Sequence, residues 1–460
     1  MVVLNQLVVE TNMNLEQLSS LQEGLVDFLR AFEPCFRNQP GLDNLNAYSL
    51  GLLADVKRKS IEPIALAAGR DERTLQWFLA CGLWDHDRAR TLMHHRVAAR
   101  RDSLRIGVLD ASGHPKKGEK TPGVQRQWCG ELGKTENCVV GQHLLYTDNH
   151  PANPFSCMLA SDLFLPESWD RDRDRCREAK IPDTVVHRTK WKIGIDQLAL
   201  ARSHGIQFDW VIGDEDYGNV PAFWFELDGQ GLRGVAEVKS CFHVWATPPS
   251  CLSSRPEHAA KSVDHLVAHS PVFTGQPWVR YRIKTTTLGP VEWEVKAAQV
   301  QLVAQADPSR NGKSVPTDRR YWLIVACNVK SQEIKYLLSN ALDARVEEML
   351  EALWARWHVE KWFERAKQEV GLGAFEMRNY PGLLRHWLIC GMVMLFLTEQ
   401  TTRLRGEKSG HHIRADRQRS QSHRLERLGP ATPEPPSPLP HQLLLSTTQS
   451  GLLREPPETP

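Results

Sequence analysis

The stretch RWHVEKWFERAKQEVGLGAFEMR, Arg356 to Arg378, decides how the rest of the chain is read. Its composition predicts a strong helix. Residues four and seven apart on a helix share a face, so Arg356, Glu360 and Lys367 form a charged row. Trp357, Trp362 and Phe363 lie close beside that row. Such a row is either an ordinary solvated face or a set of groups aimed at a partner, and the remaining sequence must choose.

A chain of 460 residues is long enough for two or three domains with substantial cores. The net charge of +2 decides nothing, so a nucleic-acid partner has to be argued from local basic patches. Fifteen tryptophans serve either core volume or base stacking. None of the ten cysteines forms a C-x-x-C pair, so zinc and redox motifs lack support and a reduced cytosolic protein is expected. The start, MVVLNQLVVETNMN, has no basic, long apolar signal pattern. The longest apolar run, WLICGMVMLFL, reads as too short for a bilayer. We therefore expect a cytoplasmic protein with no membrane partner.

Residues 1–100 carry helical periodicity. Within them, two short helical patterns flank GRDE, as in a helix-turn-helix, with Lys57, Arg58, Lys59, Arg70 and Arg73 available to phosphates. A small bundle with a solvated basic face fits equally well. From residue 101 to 239 the pattern changes to α/β. LRIGVLD, NCVVGQHLLYTD, SCMLASDLFLP, FDWVIGD and RGVAEVK read as strands, and KWKIGIDQLALARSHG and VPAFWFELDGQG as helices. Residues 240–334 read as a β-rich insertion with a hairpin across WVRYRIKTTTLGPVEWEVKAAQVQLV. Its Trp278 and Trp293 suit base stacking or cross-strand packing. Helical character returns over 335–402, and the basic, proline-rich segment 403–460 is expected to be disordered.

Three acids stand at element ends: Asp110 in GVLDASGHPKKG, Asp214 in VIGDEDYG, and Glu360 in the opening stretch. Each alone also fits a plain role, the aspartates capping turns and the glutamate pairing with Lys361. Together they offer hard oxygen ligands of the kind that hold Mg²⁺. Two such ions roughly 3.5–4 Å apart can clamp both oxygens of an in-line phosphodiester displacement.

With these motifs in hand, the sequence resembles the DDE transposases of bacterial insertion sequences, in the group with a Y-x2-R-x3-E-x6-K signature. Arg356, Glu360 and Lys367 match it in type and spacing, while Leu353 stands at the tyrosine position. LDASGHPKKG, GVQRQWCGELGKTENC, GDEDYG and GLGAFEMRNYPGLLRHWLICGMVMLFL resemble further segments of that family, over roughly residues 20 to 400. The resemblance implies an RNase H-like mixed sheet with flanking helices, interrupted by the β-rich insertion, plus the N-terminal helical DNA-binding domain. It implies Asp110, Asp214 and Glu360 as a catalytic, metal-binding triad using Mg²⁺, with Mn²⁺ as a substitute. Arg356 would orient the glutamate or bind phosphate, and Lys367, Lys116 and Lys117 would contact the DNA backbone. The implied activity is cutting of element ends and joining to target DNA. Its partners would be double-stranded DNA at terminal inverted repeats and target, and a second copy in the complex. A catalytically inactive, DNA-binding remnant is the alternative.

Overall fold

The run IGVLDASGHP forms β1 (Ile106–Pro115), whose first four residues are buried, as in a central strand. The computed structural model describes residues 15–151, 154–248, 259–286, 289–304, 315–409 and 426–430. β1 runs antiparallel to β3 (Lys134–Thr147), and β3 pairs in turn with β2 (Gln125–Cys129) and β4 (Ser156–Leu163). On its other side β1 is parallel to β5 (Trp210–Gly213), and β5 is parallel to β6 (Gly234–Val238). Parallel neighbours need a crossover, and here helices Lys190–Ser203 and Pro221–Gly229 supply it. This mixed sheet with its crossover helices is the RNase H-like arrangement expected from the sequence.

The sheet does not stop at β6. β12 (Ile334–Ser339) lies antiparallel to it, followed outward by β11 (Val315–Asn328), β10 (Gly289–Ala304) and β9 (Val279–Thr286). Short strands β7 (His243–Trp245) and β8 (Lys261–Ser262) hang from β10. The hairpin of β9 and β10 thus continues the same sheet edge to edge. Within it Trp293 is buried with its ring 5.1 Å from that of Trp354, and Trp278 packs partly buried under Lys296. Core packing accounts for both tryptophans.

The N-terminal helices α1 (Leu15–Arg30), α2 (Gln39–Leu53), α3 (Ile61–Ala67), α4 (Glu72–Ala80) and α5 (His86–Ala98) form a bundle around one further helix, Tyr380–Ser409. The α3–α4 turn passes through Gly69 at φ +61°, a left-handed conformation that glycine adopts without cost. Tyr380–Arg403 is, by length and composition, long and apolar enough to cross a membrane, which corrects the shorter reading of the sequence. However, 78% of its apolar window is buried by the bundle and β4, as in the core helix of a globular fold.

Two helices follow β12: α6 (Val346–Trp354) and α7 (Arg356–Glu369), separated by Ala355. The sequence predicted helix as far as Arg378. It ends nine residues earlier because Gly371 turns left-handed at φ +68°, and Leu372 N–H bonds back to Ala366. Only parts of the segment after 403, expected to be disordered, are described. The long helix continues to Ser409, and β13 (Glu426–Pro430) pairs with β9; the rest of that segment lies outside the described residues.

Candidate active site

Parallel pairing of β1 and β5 places Val108 opposite Ile212. Asp110 and Asp214 each come two residues later, so in a period-two backbone they project from the same face as that pair. Asp214 is still extended (φ −89°, ψ −166°) before the chain turns into the single helical turn Glu215–Gly218. Its carboxylate accepts the Asp216 N–H at 2.9 Å, and Asp110 accepts the Ala111 N–H at 2.8 Å. Both aspartates therefore do cap local backbone, and they also face each other.

Protein crowds Asp110 although it keeps some solvent access. Burial pushes its carboxyl up to about 7, and the neighbouring Asp214 adds to the rise. The Arg356 guanidinium and the Ala111 bond oppose it, and Glu360 adds a further small push upward. Asp214 is also raised, by burial and then by Asp216, with its backbone bond, Arg356 and Lys190 pulling back. Lys190 itself is paired with Asp216 at 2.8 Å. Asp214 thus helps raise Asp110, while Asp214 itself is raised by burial and Asp216, and the nearby cations offset only part of either rise.

Arg356 is the principal cation among them. It opens α7, and its Nη2 lies 3.1 Å from Glu360 Oε1 and 3.9 Å from Glu237 Oε1. Burial works against its charge, while Asp110, Glu237, Glu360 and Asp214 together more than compensate. Glu360 is half exposed (53%) and held by Arg356, whereas Lys361 pairs with Glu364 instead. Among the described residues, no three His, Cys, Asp or Glu side chains stand together so that they could hold a metal ion. Asp110 and Asp214 thus follow neighbouring paired positions of β1 and β5, and Glu360 is held by its pair with Arg356.

The other predicted residues are placed differently. Lys367 Nζ sits 2.8 Å from Glu131 Oε2 in the β2–β3 turn. Lys116 donates to the Gly373 carbonyl at 2.7 Å and lies 3.6 Å above the Phe375 ring, with burial bringing its pKa down to about 8. Lys117 is exposed and lines an open groove of about 1010 Å³ together with Arg58, Lys120 and Arg378. Leu353, at the tyrosine position of the signature, is 4% exposed and belongs to the core on α6.

One neighbour of the site escaped sequence reading. Glu237 lies on β6, next to β5, where Gly213 pairs with Ala236. A Cβ on Gly218 would overlap the Glu237 carbonyl oxygen, so this glycine lets the Asp214 turn press onto β6. The only sequence signal was an acid inside the apolar strand GVAEV. It acquires meaning once β5 and β6 are known to be neighbours.

Comparison with known proteins gives the family. The family described as DDE superfamily endonuclease matches residues 31–298, a span that includes both aspartates and stops short of Glu360. The chain is also 22% identical over 362 residues to the probable transposase for insertion sequence element IS701 of Microchaete diplosiphon, covering 78% of this chain and 82% of that protein. With well over half of its length matched and two acids side by side on parallel strands, the chain belongs to the DDE superfamily endonucleases.

Proposed function

We propose that the protein is a DNA transposase that cuts element ends and joins them to target DNA by metal-assisted phosphoryl transfer. The observation that carries this reading is that Asp110 and Asp214 each follow the paired Val108 and Ile212 by two residues, with Arg356 of the Glu360 helix acting on both. The donors are all carboxylate oxygens, suited to Mg²⁺ or Mn²⁺. The crowding that raises Asp110 is the kind a divalent cation relieves. Asp110 and Asp214 would hold the metal, and Glu360 would complete the set by leaving Arg356. A bound metal pair would activate the attacking oxygen and stabilise the leaving one.

The chain's own groups supply the rest. Lys367 would bind a phosphate after release from Glu131, and Lys117 would meet the backbone from the groove beyond β1. Lys116 would act through the Gly373 loop that it holds. Residues 1–100 would bind the terminal repeats, with a homodimer forming in the DNA complex. Binding would weaken steeply with salt, because neutralised phosphates release counterions.

A second reading, a binding-only remnant, draws on the exposure of Glu360 and its pairing with Arg356. Cleavage of the element's own ends in Mg²⁺ by the wild type and by Glu360→Gln separates the two. We expect cutting by the wild type alone. Equal behaviour of the two proteins, cutting or not, would remove Glu360 from the chemistry.

A further inference from the structure

We propose that Arg356 is the internal counter-cation of the acid site and has two seats. It rests on Glu360 in the metal-free protein and transfers to Glu237 when Glu360 turns to a metal ion. The inference rests on the metal-site reading above and adds a residue, Glu237, to which that reading gives no role.

The geometry already contains both seats. One nitrogen, Nη2, stands 3.1 Å from Glu360 and 3.9 Å from Glu237, so the exchange needs a small side-chain movement. The Arg356 side chain is only 22% exposed, so a guanidinium leaving Glu360 without a second acid would remain crowded and unpaired. Glu237 is fixed for that role. Its strand is pinned between β5 and β12, and its backbone is pressed by Gly218.

Glu237 is also free to change partners. Its present cation, Lys335 at 2.9 Å, has a second acid of its own, Glu333, at 3.8 Å. Lys335 can therefore lean to Glu333 as Arg356 arrives, and no charge is stranded. The driving force is Coulombic. A guanidinium and a divalent cation cannot share the space between Asp110, Asp214 and Glu360 without strong repulsion at short range.

Titration calorimetry of Mg²⁺ into the full-length, DNA-free protein tests the transfer. Arg356→Gln is expected to bind Mg²⁺ about tenfold more tightly than wild type, and to melt at a lower temperature in EDTA. Arg356→Lys, which keeps the charge, should stay near wild type in both. Glu237→Gln should weaken Mg²⁺ binding severalfold in the wild-type background and much less in Arg356→Gln. Weaker Mg²⁺ binding by Arg356→Gln, or additive effects of the two changes, would overturn the transfer. Asp110→Asn is the separate control: loss of Mg²⁺ binding supports the underlying metal site, and retention would overturn that site and this inference with it.

Discussion

Asp110 on β1 and Asp214, the residue that follows β5, each stand two residues beyond the Val108–Ile212 pair of these neighbouring parallel strands. Burial, with Asp214 beside it, makes a charged Asp110 costly to fold. An acid whose folded pKa is raised binds a proton more readily in the folded state. It destabilises the fold increasingly as pH rises from the unfolded value to the folded one.

For Asp110 that window runs from 3.8 to about 7. Asp110→Asn should therefore melt higher than wild type at pH 8 in EDTA, with the gap closing as pH falls towards 4. The gain should be ~1–3 kcal/mol, below the full value of the shift because the side chain keeps some water. Thermal melts across that range check it. A lower melting temperature for the variant at pH 8 would contradict the crowding argument.

Divalent metal should show the complementary dependence. Ligands must be deprotonated to bind, so the rise in melting temperature on adding Mg²⁺ should be larger at pH 8 than at pH 6. Asp110→Asn should lose this rise. Scanning calorimetry at both values measures it, and a rise independent of pH would place the metal on other groups.

Much of this was legible in the sequence, and the reasons for the rest are specific. Apolar runs that end on an acid, IGVLD and WVIGD, gave away both strands and both aspartates. Strand order is different information: it depends on contacts between residues far apart, so the nearness of Glu237 to Asp214 could not be read along the chain. The helix end at Glu369 was marked by Gly371 but masked by the helical character of the residues around it. For Lys116 and Lys367, the sequence showed the charge and hid the partners, Gly373 and Glu131, which tertiary folding supplies.

The Lys367–Glu131 pair makes a binding prediction. Both side chains are partly exposed, so breaking the pair should change stability by no more than ~1 kcal/mol. Lys367→Ala should weaken DNA binding about equally across sequences and reduce the salt slope by roughly 1. Glu131→Gln, which frees the lysine, should strengthen binding. Fluorescence anisotropy over a salt series reads both, and tighter binding by Lys367→Ala would refute the phosphate role.

Leu353 is a test of packing. It is core at 4% exposure, so Leu353→Ala should cost ~2–5 kcal/mol. Leu353→Tyr, the residue of the signature, should cost ~1–3 kcal/mol by overfilling the same space. Denaturant unfolding measures both. A neutral tyrosine variant would show that the side chain has room to leave the core.

In the proposed function, Asp110 and Asp214 form a metal seat that Glu360 joins. Anomalous scattering from crystals grown with Mn²⁺ tests it most directly. A peak is expected between the two aspartate carboxylates, with Glu360 turned towards it and away from Arg356. A metal found elsewhere, or none bound while Glu360 stays on Arg356, would contradict it.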